Sequence, residues 1–138
     1  MYQKDYILRI IEQMGALLRA MVSGIREQRP QDVREASREA LTLLLGLPPE
    51  VTGSLTPDGL VTVLSVGGRF ESTRGVLAAE VYVRRAQADG IAGLRESAVR
   101  DRARAARLLE EVVAGGNEAD VARARELTAE LEDGGATS

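Results

Sequence analysis

The sequence predicts an all-α protein of about six helices stacked as antiparallel hairpins, either tetratricopeptide-like or an irregular bundle, and three observations carry that prediction. Apolar residues recur at three- and four-residue spacing along most of the chain, the period of a helix that buries one face. Pro30, Pro48-Pro49, Pro57, Gly67-Gly68 and Gly115-Gly116 punctuate it at helix-length intervals, leaving only short loops. The one β-branched run, residues 60–66, has no second run to pair with, and a lone strand cannot satisfy its backbone.

The first helix is expected over about residues 3–27. Tyr6, Ile7, Ile10, Ile11, Met14, Leu17, Leu18, Met21, Val22 and Ile25 make its apolar side, and Arg9, Glu12, Gln13, Arg19 and Arg26 its polar one. Because Ile11, Leu18 and Ile25 join the rest, the stripe is wider than a coiled-coil seam. That width predicts burial against several helices, or a face for a second copy of the chain. Pro30 suits the first turn of a second helix, with Val33, Ala36, Ala40, Leu43, Leu44 and Leu47 inside. Pro48-Pro49 ends it, and residues 49–54 read as a loop. Thr56-Pro57-Asp58 reads as the cap and first two positions of a short third helix that carries residues 60–66.

Gly67-Gly68 breaks that element. A fourth helix, about residues 72–88, is apolar on most sides apart from Glu80, Arg84 and Gln87, with Arg85 beside them, which marks it as the central one. A fifth, about residues 91–114, turns Ile91, Leu94, Ala98, Ala105, Leu108, Leu109 and Val112 inward. Asn117 caps a last helix with Asp120 in its first turn, and Val121, Ala124, Leu127 and Leu131 form its stripe. Residues 1–133 form a single domain in this reading, and 134–138 a flexible, frayed tail.

Composition narrows the chemistry. With 138 residues, 44% of them hydrophobic, the chain is long enough for a real core. Its aromatics are only Tyr2, Tyr6, Phe70 and Tyr82, so that core is aliphatic. There is no cysteine and no histidine. This removes disulfides, structural zinc, haem and iron–sulfur ligation, and the Cys–His and Ser–His–Asp nucleophile systems. No cofactor is expected, and the reading is of a non-enzyme. Neither a basic leader followed by an apolar stretch nor a run of ~18 apolar residues is present, so a soluble, cytoplasmic chain with no membrane span is predicted.

Four clusters merit weighing. Glu35 and Glu39 share a helix face, as Glu110-Glu111 do not, but without histidine the helical di-metal arrangement cannot form, and both pairs read as solvated surface. Ser65-Val66-Gly67-Gly68-Arg69 lacks the Gly-Lys-Ser/Thr ending of a phosphate loop and reads as a helix C-cap and turn. Arg100, Arg102, Arg104 and Arg107 are the strongest basic cluster, with Arg100, Arg104 and Arg107 on one outward face of the fifth helix. Glu96 and Glu111 neutralise that face locally, and the net charge of −3 argues against nucleic acid. Asp101 falls where an apolar residue belongs, three residues from Arg104. The expectation is a helix emerging from the core there, with a polar seam or interface as the other outcome.

The opening Met1-Tyr2-Gln3-Lys4-Asp5-Tyr6-Ile7-Leu8-Arg9-Ile10-Ile11-Glu12-Gln13, followed by Ala36, Ala40-Leu41 and Leu44-Leu45-Gly46-Leu47, resembles the N-terminal half of an uncharacterised bacterial family of unknown function. Members of that family resemble tetratricopeptide-like helix hairpins. The resemblance implies that Tyr82, Ala86, Ala98, Ala105 and Leu108 are packing residues of one repeat, and it implies no activity, cofactor or catalytic residue.

The functional expectation is therefore a helical interaction or scaffold domain binding a peptide, a protein or itself, the last through the first helix. Arg100, Asp101, Arg104, Arg107, Ile11, Leu18 and Ile25 are the candidate surface. The alternative is a small-molecule or regulatory domain with a pocket near the fourth and fifth helices.

Overall fold

The computed structural model describes the backbone of residues 2–137 and the side chains of residues 5–134. The described chain runs α1 (Tyr2–Arg26), α2 (Pro30–Leu45), α3 (Pro49–Thr52), α4 (Pro57–Val63), β1 (Ser65–Val66), β2 (Arg69–Phe70), α5 (Ser72–Ala92), α6 (Arg95–Gly115) and α7 (Glu118–Thr137). It is an all-α bundle built on two long hairpins, α1–α2 and α5–α6, with α7 closing the far side.

The first hairpin turns on Gln28, which adopts φ 55°, while the Arg29 amide donates to the Gly24 carbonyl at 2.7 Å. Gly24 lets α2 approach closely, since a Cβ there would stand 2.7 Å from Cγ2 of Val33. Val33, Ala40, Leu41, Leu44 and Leu45 are buried, so α2 buries two leucines beyond the expected stripe. The expected loop at 49–54 contains one helical turn, α3, because Pro49 at a first-turn position starts a helix as readily as it stops the previous one.

The region 60–66 corrects the single-helix expectation. Thr56 caps α4 by accepting the Gly59 amide at 3.0 Å, and the helix ends at Val63. Ser65 and Val66 then pair antiparallel with Phe70 and Arg69. Gly67 and Gly68 take φ 60° and 78°, the positive pair that a two-residue hairpin needs. The strand's partner lies immediately past the glycines that read as a simple break. Phe70 folds back onto α5, where its ring occupies the space a Cβ on Gly75 would need, 2.3 Å from Cζ.

The boundary between the fourth and fifth predicted helices also moves. Ile91 and Ala92 extend α5, Gly93 closes it with φ 77°, and α6 begins at Arg95. Ile91 and Leu94, expected inside, are 42% and 44% exposed. Asn117 caps α7 by accepting the Asp120 amide at 2.8 Å, and α7 continues through Gly134 to Thr137 rather than ending at 133.

The helix apolar on most sides is the central one. α5 packs against α1, α2, α6 and α7, while α3 packs on α2 and α4 on α6. Val76, Ala78, Ala79, Val81, Tyr82 and Val83 are buried in it, facing Met14, Met21, Leu44, Leu108 and Leu127 of its neighbours.

Candidate functional site

A helix surrounded on most sides has nowhere to put its polar residues except between helices, and α5 carries several. Arg85 reaches Asp101 of α6 with two parallel hydrogen bonds, Nε at 2.8 Å and Nη2 at 3.0 Å. Arg104 adds a third at 2.9 Å. Asp101 is 1% exposed, so it is a fully paired interior carboxylate rather than the point where α6 leaves the core.

Arg104 corrects a second expectation. It faces inward, and its remaining donors bond the Leu55 carbonyl at 3.1 Å and the Gly53 carbonyl at 3.2 Å, which pins the α3–α4 connection to α6. Tyr82 lies beneath both guanidinium groups, 5.3 Å from Arg85 and 5.7 Å from Arg104, measured to the ring centre. Its hydroxyl is buried without a protein partner. Burial pushes that phenol up to about 12, against the pull of the two arginines. Burial is also the largest influence on Arg85 and lowers its pKa. The hydrogen bond and charge of Asp101 outweigh it, and the guanidinium ends above its ordinary value.

Two further clusters extend the network. Asp89, wholly buried, accepts from Arg34 of α2 and from the Ser97 hydroxyl at 2.7 Å, joining three helices. Arg84 clasps Glu130 of α7 at 2.6 and 3.2 Å, and Glu80 pairs with Arg123 at 2.8 Å. The Arg84 hydrogen bonds hold the Glu130 carboxyl below its usual range. The stripe Glu80, Arg84 and Gln87 thus faces α7, not solvent.

The anticipated basic face does not assemble. Arg104 is inside, and Arg107 is bound to Asp58 and Glu111, each at 2.9 Å. Arg100 is exposed, without a hydrogen-bond or ion-pair partner among the described residues. Ile11 is exposed, whereas Leu18 and Ile25 are half-buried against the core. Glu35 and Glu39 are exposed beside Arg38 in a groove of about 720 Å³ between α1 and α2. Among the described residues no three acidic side chains converge as a metal site would require. None of the described helices is long and apolar enough to cross a membrane.

An open groove of about 790 Å³ lies beside the α5–α6 turn, near the fourth and fifth predicted helices, and of the candidate surface residues only Ile25 lines it. Val83 and Ala86 form its floor, Ile25 and Leu131 its sides, and the exposed Ile91 and Val99 its rim. Arg95 and Arg102 stand over it without any partner among the described residues, while Glu130, the one acidic group lining it, is engaged by Arg84. The only sequence signal for this site is the pair of apolar residues, Ile91 and Val99, that flank Arg95.

Comparison with family models, curated proteins and solved structures finds no match to this chain.

Proposed function

We propose that this chain is a non-enzymatic helical interaction domain, and that its docking surface is the groove at the α5–α6 turn. The observation that carries the reading is the contrast between apolar walls and unengaged cations: Ile25, Ile91, Val99 and Leu131 beside Arg95 and Arg102. That combination suits an acidic amphipathic segment of a partner, whose apolar side fills the groove while its carboxylates meet the arginines. The lack of catalytic thiol or imidazole supports the non-enzymatic part, as does the commitment of Asp89 and Asp101 to arginines.

The order of helix contacts supports a tetratricopeptide-like stacking. α1 and α2 both meet α5, and α5 and α6 both meet α7, so each hairpin packs against the helix that follows it. A photo-crosslinking side chain at Val99 tests the reading in the native host. It is expected to trap a defined protein, and Arg95→Glu with Arg102→Glu is expected to abolish the product. Equal trapping from Val113 would count against it.

One observation favours a second reading, an apolar organic anion as ligand. The groove volume falls within the ~300–1,000 Å³ typical of small-molecule sites. Native mass spectrometry separates the two, since a retained small molecule that leaves on Arg102→Glu would favour the second.

A further inference from the structure

α1 carries two heptad seams. Ile7, Ile10, Met14, Leu17, Met21 and Gly24 alternate three- and four-residue steps and face inward, with Ile10, Met14 and Met21 completely buried. One position further on, Leu8, Ile11, Gly15, Leu18, Val22 and Ile25 repeat the same steps. No described residue fully covers this second seam. Leu8 is 51%, Ile11 40% and Val22 38% exposed, and Leu18 and Ile25 are half-buried. A sustained three–four repeat is the pattern that one helix presents to another. Gly15 sits mid-seam, where glycine weakens a helix, and the protomer gives no reason for it. A Cβ there would meet only the tip of its own Arg19, at 3.3 Å. Close approach of a second backbone is such a reason.

The charges beside the seam name the occupant. Asp5, Glu12, Arg19 and Arg26, seven residues apart, follow its other edge and are all exposed, Arg19 and Arg26 lining a hollow whose one carboxylate, Glu80, is taken by Arg123. None has a partner among the described residues. The edge is acidic in its first half and basic in its second. Two α1 helices laid antiparallel about a two-fold axis near Gly15 set Asp5 against Arg26 and Glu12 against Arg19, each pair formed twice. A parallel pairing sets the same edge against Ile7, Met14 and Met21, of which the two methionines lie wholly inside the protomer. The edge is thus complementary to itself only head to tail, the condition a two-fold interface imposes.

We propose that the chain self-associates as an antiparallel dimer through α1, with Leu8, Ile11, Gly15, Leu18, Val22 and Ile25 as the seam and Asp5–Arg26 and Glu12–Arg19 as the pairs across it. The seam shares Ile25 with the groove but involves neither Arg95 nor Arg102, so charge reversals at Glu12 and Arg19 test it without altering the groove's cations.

Sedimentation equilibrium on the full chain tests it. The wild type is expected to dimerise, and Glu12→Arg or Arg19→Glu alone each to weaken the dimer by at least about tenfold, with helicity unchanged by circular dichroism. Mixing the two single variants is expected to restore association as a heterodimer, and the double variant to restore the homodimer. A wild type that stays monomeric at millimolar concentration overturns the proposal. So do single variants that dimerise as the wild type does, or a mixture that fails to recover.

Discussion

Arg104 and Arg102 stand two residues apart on α6, in opposite circumstances. Arg104 spends its donors on Asp101 and on two carbonyls of the α3–α4 connection, beneath which lies the Tyr82 ring. Arg102 lines an open groove and has no partner among the described residues. The difference teaches that arginine has two uses here. Between helices it is a cross-brace that fixes how one hairpin meets the next, and at the groove it is an unengaged donor. The two kinds should respond to substitution very differently.

The largest effect is expected at the brace. Asp101→Ala leaves the half-buried Arg85 and the buried Arg104 charged without their carboxylate, and should cost about 3–5 kcal/mol in urea denaturation. Arg102→Ala should cost less than about 0.5 kcal/mol in the same assay. Comparable losses from the two would erase the distinction.

A smaller effect sharpens it at high pH. Folded Tyr82 keeps its proton to about 12, whereas an unfolded tyrosine loses it near 10. In that window the unfolded chain binds fewer protons, so stability present below pH 10 is lost as pH rises through 12, by about 2 kcal/mol. Tyr82→Phe removes this term, and its urea midpoint should fall less between pH 9 and pH 12 than that of the wild type. Near neutrality the same substitution should be almost without effect, because the hydroxyl has no partner to lose.

Much of the frame around these braces is legible in the sequence, and the braces are not. α5 is readable as central because a helix apolar on most sides must be surrounded, and Asn117 is readable as a cap because asparagine before an acidic turn can accept the amides there. Asp101 is visible as a misplaced polar residue, but its main partner, Arg85, lies on another helix sixteen residues earlier. Helical spacing reports only neighbours three and four positions away, which is why Arg104 reads as outward-facing. The stripe Glu80, Arg84 and Gln87 contains the missing clue. Polar residues on an enclosed helix have to meet countercharges, and these meet Glu130 and Arg123 of α7. The β-hairpin escapes because two paired residues per strand are too few to show a period, and the lining of the groove because residues of α1, α5, α6 and α7 meet there only once the hairpins stack.

Between the two extremes lies Glu130, held by Arg84 but still partly in solvent. Its pKa is lowered on folding, so its stabilisation is present above the usual glutamate range and is lost as pH falls through the folded value. Solvent screening keeps the contribution below about 1 kcal/mol. Glu130→Gln should therefore lower the urea midpoint slightly at pH 7, and the difference should shrink as pH falls below the usual glutamate range. A difference that does not shrink with falling pH would mean that packing, not charge, ties α7 to α5.

The smallest expected effect on stability carries the most functional weight. Arg95→Glu together with Arg102→Glu reverses two charges that no described residue opposes, so thermal unfolding should change by no more than about 0.5 kcal/mol. Trapping from a crosslinker at Val99 should nevertheless disappear, since an acidic partner would now meet four carboxylate oxygens over an apolar floor. Retaining both positive charges as lysines should preserve most of it if the partner reads charge, and less if it uses the planar two-pronged geometry of arginine. A stable, folded double reversal that still traps the same protein would show that the groove's apolar walls act alone, and Arg102 would then be no more than solvated surface.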